Sequence, residues 1–173
     1  MQTWQTINQI RVVRSFADKP IEEGHVTRIL NAGRRAGSSK NQQRWAFVVV
    51  REKERLRRLA QLGQFGQPIA GAAVAIALVT PDPRSEGAPL SIVFDVGRAA
   101  QNMVLAAWDL GIGSVPTTVY DHEAARALLA FPEDHHCEYV LAFGYPADSD
   151  VLQAPKRTGG RARLEDIVHT EHW

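Results

Sequence analysis

This chain of 173 residues predicts a single globular domain that alternates amphipathic helices with short apolar strands. Three observations carry that reading. The length is enough to bury one core without disulfides or metals. Hydrophobic residues make up 45% and charged residues 23%, the profile of a folded, soluble chain. Apolar residues recur at helical spacing in some stretches and run together as short strands in others.

Residues 3 to 10 read as a short helix with Trp4, Ile7 and Ile10 on one face. Arg11 to Phe16 leaves it as a basic, β-branched segment. Pro20 fixes the entry to a second helix, where Val26, Ile29, Leu30 and Gly33 recur at helical spacing and Gly37 marks the end. A strand begins at Trp45. Glu52 to Leu62 is a polar helix with Leu56, Leu59 and Ala60 inward. Ala72 to Val79 is a second buried strand, and Pro81 to Pro89 a loop. The longest helix spans about residues 90 to 110, with Pro89 in its first turn and Gly111 and Gly113 ending it. It is apolar over much of its circumference, which places it centrally or against a partner subunit. Val115 to Tyr120 is extended, Glu123 to Leu129 a short helix, and Tyr139 to Phe143 a third strand. From Asp148 the chain is a polar tail without a core of its own, until Leu164 to Val168.

Charge and cysteine usage narrow the partners. The net charge is +1, so nothing global points to nucleic acid. Basic residues cluster locally at Arg11/Arg14, Arg34/Arg35, Arg55/Arg57/Arg58 and Lys156 to Arg163. Such clusters fit a small anionic ligand better than a polymer. The single cysteine, Cys137, excludes a disulfide framework or cysteine-based zinc site within one chain. Its place at the start of an apolar run marks a buried structural thiol. Residues 1 to 20 lack the apolar core of a signal peptide, and no run reaches transmembrane length. The expected location is the cytoplasm, with no membrane partner.

The stretch Ala36-Gly37-Ser38-Ser39-Lys40-Asn41-Gln42-Gln43-Arg44-Trp45 stands out. A mere connector is usually shorter and richer in turn formers. Hydroxyls, amides and two cations here offer hydrogen bonds in several directions, as a polar, planar ligand needs. A solvated loop that binds nothing is the alternative. The common phosphate and nucleophile signatures are missing, and Gly111-Ile112-Gly113 follows a helix, unlike a dinucleotide-binding turn. His135-His136, and His169 with His172, lack a third metal ligand nearby and read as solvated surface, so no metal is expected. Glu133-Asp134 reads as a turn.

What remains is a distributed set: Arg11 and Arg14; Ser38, Ser39, Asn41 and Gln43; Pro116, Thr117 and Thr118; and Arg161 and Arg163. A ligand served by all four groups is large, polar on one edge and doubly anionic at one end. Flavin mononucleotide (FMN) fits. Arginines match phosphate oxygens bidentately, and amides and hydroxyls match the pyrimidine edge.

These residues bring the chain to a family it resembles, the FMN-dependent nitroreductases in their compact form. Arg11-Val-Val-Arg-Ser-Phe16 with Pro20 is similar to the opening R-R-S-x-R-x-F-x-x-x-P. Ala36 to Trp45 resembles A-P-S-x-x-N-x-Q-P-W, followed by the F-V-V-V strand. Asp95 to Gly113 is similar to a central helix ending L-G-x-G. Val115 to Thr118 falls where the family's loop reaches flavin N5, and Leu141 to Pro146 resembles an I-G-Y-P strand end. The resemblance covers almost the whole chain. It implies an α+β fold, with a mixed, largely antiparallel sheet flanked by helices. One domain spans residues 1–173 of an intertwined homodimer, its tail 148–173 packed on the partner subunit. It implies a ping-pong oxidoreductase, in which NADH or NADPH passes hydride through flavin N5 to a nitroaromatic, quinone or similar acceptor.

On that resemblance Arg11, Val12 and Arg161 take phosphate positions and Arg14 the N1–C2 carbonyl edge. Ile10 and Val12 replace the family's arginine and serine, Gly37 replaces proline, and Arg44 replaces the proline before Trp45. A flavin-binding module without turnover, for storage or sensing, is the second reading.

Overall fold

A computed structural model describes residues 2–154 and 159–173 of the protein. In chain order it contains α1 (Thr3–Gln9), α2 (Glu23–Arg34), a 3-10 turn (Ser39–Asn41), β1 (Ala46–Val50), α3 (Lys53–Ala60), α4 (Gln67–Ala70) and β2 (Val74–Pro81). There follow α5 (Ser91–Asp109), β3 (Gly113–Thr118), α6 (His122–Leu129), β4 (His135–Gly144), a second 3-10 turn (Ser149–Leu152) and α7 (Leu164–Ile167). Together they form the expected α+β architecture. No helix among the described residues is long and apolar enough to cross a membrane.

The four strands form one sheet in the order β1-β2-β4-β3. Every pairing between these strands is antiparallel. The only parallel element among the described residues is a single bridge, Val12 to Ser114, on the outer edge of β3. β2 is central and buried along almost its whole length, because both faces of the sheet are covered. Val74, Ile76 and Leu78 join the core under α2 and α5. Ala75, Ala77 and Val79 alternate into the opposite core, under α3, α4 and α6.

Local chemistry sets the ends of the elements. Glu52 caps α3 by accepting from the N–H groups of Glu54 and Arg55, both at 2.8 Å. Asp121 caps α6 through the N–H of Ala124 at 2.9 Å. After α5, Gly111 adopts φ +72°. The N–H groups of Gly111 and Ile112 return to the carbonyls of Trp108 and Ala107 at 3.0 and 2.9 Å, closing the helix.

Several expectations shift. The second helix ends at Arg34 rather than Gly37. Pro89 lies one residue before the N-cap Leu90, not inside the first turn. The four-residue α4 was not foreseen, being too short for a periodic signal. On α1, Trp4 and Ile7 are exposed and Thr6 is the buried residue. β4 starts at His135, four residues before the expected Tyr139, so His135-His136 lies in a strand and not a loop. Of the basic run, Lys156 and Arg157 lie outside the described residues.

Candidate functional site

β3 is an edge strand, and one cluster of sequence-predicted residues gathers on it. Val13 N–H donates to Ser114 O at 2.9 Å, which lays Val12 against the edge two residues before Pro116. Pro116 is exposed and has no N–H, as suits an open edge. Val119 N–H donates inward to Glu138 O at 2.9 Å. The alternation of an antiparallel ladder therefore directs the N–H of Thr118 outward. Thr117 is buried, and its Oγ1 has no hydrogen-bond partner among the described residues. Arg14 is exposed beside this edge. Arg11 turns elsewhere: its Nη2 donates to Ala154 O at 2.5 Å and its Nε to Gln9 O at 3.4 Å. It thereby fastens the N-terminal segment to the start of the tail.

The loop from Ala36 to Trp45 forms a second cluster. Gln43 N–H donates to Ser38 Oγ at 2.9 Å, and the Gln43 amide reaches Asn41 Oδ1 at 3.2 Å. Lys40, Asn41 and Gln43 adopt positive φ values of 51°, 54° and 48°. For Lys and Gln that conformation costs roughly 1–2 kcal/mol each. Strain of this kind persists only where the surroundings enforce it. Asp95 of α5, itself buried, supplies the enforcement by accepting from Ser39 N–H at 2.8 Å. Gly37 lies under Arg98, where an added Cβ would stand 2.5 Å from Arg98 Nη2. The proline usual in the resemblance is thus replaced by a residue that makes room for an arginine.

The tail holds the third group. Arg161 is exposed, and Arg163 pairs with Glu165 and, at 3.6 Å, with Asp166. Within one chain the loop and the β3 cluster stand at different edges of the sheet. The loop feeds β1 and the first cluster lines β3, the two opposite edges of the sheet. Three strand spacings separate those edges, about 14 Å. The donors nevertheless suit a flavin: an outward backbone N–H, the exposed cations Arg14 and Arg161, and amides and hydroxyls on an ordered loop.

Asp95 and Arg98 escaped the sequence reading. A signal was present, since Asp95 continues the buried stripe of Ile92, Ala99 and Met103 on α5, where a carboxylate has no packing role.

Two other sequence readings meet the structure here. Cys137 is buried, and burial pushes its thiol up to about 12. It is inert as a nucleophile at neutral pH. His136 is not solvated: it is 3% exposed, with Nε2 2.8 Å from Glu138 Oε2 and Nδ1 3.0 Å from Arg84 Nη2. Its carboxylate partner, Glu138, stands two residues along the strand.

The sequence pattern of the Nitroreductase family matches residues 7–69 and 62–145. A putative NADH dehydrogenase/NAD(P)H nitroreductase of Archaeoglobus fulgidus is 37% identical over 169 residues, covering 94% of each chain. The FMN reductase [NAD(P)H] of Bacillus subtilis is 26% identical over 164 residues, 83% of this chain and 66% of that one. Among solved structures, a putative NADH dehydrogenase/NAD(P)H nitroreductase of Parabacteroides distasonis superposes with a TM-score of 0.85 at 28% identity. It covers 100% of this chain and 99% of that one. With sequence pattern, full-length relative and fold in agreement, the chain belongs to the nitroreductase family.

Proposed function

We propose that the protein is an FMN-dependent oxidoreductase. It carries hydride from NADH or NADPH to an oxidised small molecule, a nitroaromatic or quinone, in ping-pong order. Its relatives' names, nitroreductase and FMN reductase, support this class of activity. Bound FMN supplies the hydride chemistry through N5, so no side-chain nucleophile is needed. The observation that carries the reading is the edge of β3, which turns the N–H of Thr118 outward and is met near Ser114 by the segment that carries the exposed Arg14.

The residues have distinct tasks. Thr118 donates through its backbone to the edge of the ring where hydride arrives. Arg14 stabilises the negative charge that reduction places on the N1–C2 carbonyl edge. Ser38, Ser39, Asn41 and Gln43 read the pyrimidine edge. Arg161 and Arg163 hold the phosphate, as does Arg11 on exchanging its bond to Ala154 for phosphate oxygens. The loop and the β3 edge serve one site when they come from two subunits, so the working unit is a homodimer with two equivalent sites.

Purified protein is expected to be yellow and to oxidise NADH or NADPH with a nitroaromatic or quinone acceptor. Arg14→Ala should weaken FMN binding by about one to two decades, the value of one charge-assisted hydrogen bond. Colourless protein that takes up no added FMN overturns the proposal. Bound flavin that neither NADH nor NADPH reduces identifies the storage or sensing module instead.

A further inference from the structure

Beyond the end of β3, three metal-ligating side chains meet, and two of them, His136 and Glu138, line a cavity that Pro116 also borders. His122 opens α6, held there by the Asp121 cap. His136 and Glu138 lie on β4. One ligand atom from each of the three stands within 4.8 Å of the others.

The backbone explains how β4 supplies two of them. Its register with β2 runs Leu78 to Tyr139 and then Val79 to Cys137, which leaves Glu138 as the extra residue of a bulge. Bulges re-aim side chains, and this one brings the Glu138 carboxylate to the His136 ring.

The bonding fixes the tautomer of His136. A guanidinium only donates, so Arg84 Nη2, 3.0 Å from Nδ1, makes Nδ1 an acceptor. The ring proton therefore sits on Nε2 and is donated to Glu138 Oε2 at 2.8 Å. His122 has no such arrangement. Its ring lies 4.3 Å from that of His136, centroid to centroid. Its Nδ1 is fully buried and has no hydrogen-bond partner among the described residues. An orphaned nitrogen of that kind calls for an explanation, and a bound cation is one.

We propose that His122, His136 and Glu138 form a site for one Zn2+, with water in the fourth position. Two imidazole nitrogens and a carboxylate oxygen are a zinc donor set. Metal–ligand bonds of about 2.0–2.2 Å put tetrahedral donors about 3.3–3.6 Å apart, so side-chain adjustments of about 1 Å close the cluster. The ion takes the place of the proton between His136 Nε2 and Glu138. That proton moves to Nδ1 of the same ring. Arg84 Nη2 turns off Nδ1, while Nε keeps its bond to Asp82 Oδ1 at 3.0 Å. His122 Nδ1 gains the partner it lacks.

The test uses the purified protein as isolated, stripped of metal by a chelator and returned to buffer. Zn2+ titrated calorimetrically should bind at one ion per chain and raise Tm. Co2+ should give the visible bands of a four-coordinate site and be displaced by Zn2+. Glu138→Gln and His122→Gln should each abolish the Co2+ bands and weaken Zn2+ binding. The loss should exceed the roughly 10–100-fold typical of an outer-shell partner. Both positions are partly exposed, and circular dichroism verifies their folding. A double change at His169 and His172 in the tail should leave binding intact. Loss of binding in that tail variant, wild-type affinity in either site variant, or no stoichiometric Zn2+ in the parent protein overturns the proposal.

Discussion

Asp95 is the residue on which the polar loop depends. Its buried carboxylate accepts the Ser39 N–H, and the loop beyond it holds Lys40, Asn41 and Gln43 in left-handed backbone. Removing that acceptor takes the charged partner from the Ser39 N–H and lets the strain relax. Hydrogen bonds to charged groups contribute about 1.5–3 kcal/mol. Asp95→Ala should therefore lower unfolding stability by about 2 kcal/mol and FMN affinity by about tenfold or more. Asp95→Asn retains an acceptor oxygen and should lose less of both. Denaturant unfolding and FMN titration on the same samples measure the pair. A destabilised Asp95→Ala that binds FMN like its parent removes the loop from the flavin site.

At the scale of elements, the segment after β2 is stapled by one ion pair. Arg84 bonds Asp82 through its backbone N–H at 2.9 Å, Nε at 3.0 Å and Nη2 at 3.1 Å. The Arg84 hydrogen bonds hold the Asp82 carboxyl down to about 2, against an ordinary 3.8. A carboxyl depressed in the folded state adds stability above its unfolded value, and that stability is lost as pH falls from about 4 to about 2. Solvent screens this partly exposed pair, so its worth is at most about 1 kcal/mol. The urea midpoint of Arg84→Gln should lie below that of the parent at pH 6, and the gap should narrow towards pH 2. A gap independent of pH would show that the Arg84–Asp82 pair contributes no stability. The same segment shows how far sequence reaches. Apolar periodicity made α2, α3, α5 and the β2 core legible, because burial writes itself into residue type. It missed the first residues of β4, since His135 and His136 are polar residues held in a strand by pairing with Pro81 and Thr80 of β2, and Glu138 sits in the bulge that follows. It also missed the shape of the Ser38–Gln43 loop, where a tether from α5 imposes left-handed backbone on residues that do not prefer it. The candidate site residues were legible only as donors of suitable type; their division between two sheet edges belongs to topology.

That division decides the whole molecule. Trp4 and Ile7 on α1, Val93 and Phe94 on α5, and Leu164, Ile167 and Val168 at the tail are all exposed, apolar surface of the kind a partner subunit covers. A dimer that covers it should sediment at twice the 19.1 kDa chain mass. If each flavin site joins the loop of one subunit to the β3 edge of the other, two defective variants can repair each other. Asp95→Ala damages only the loop half, and Arg14→Ala only the edge half. Mixed and allowed to exchange subunits, half the dimers become heterodimers. Each heterodimer carries one site with both lesions and one with neither, so about one quarter of all sites should regain parental FMN affinity. FMN titration of the mixture, against the two variants kept apart, reads that fraction directly. A mixture that binds only as the average of its components would mean that loop and edge belong to one chain's site, and the composite dimer site would fall.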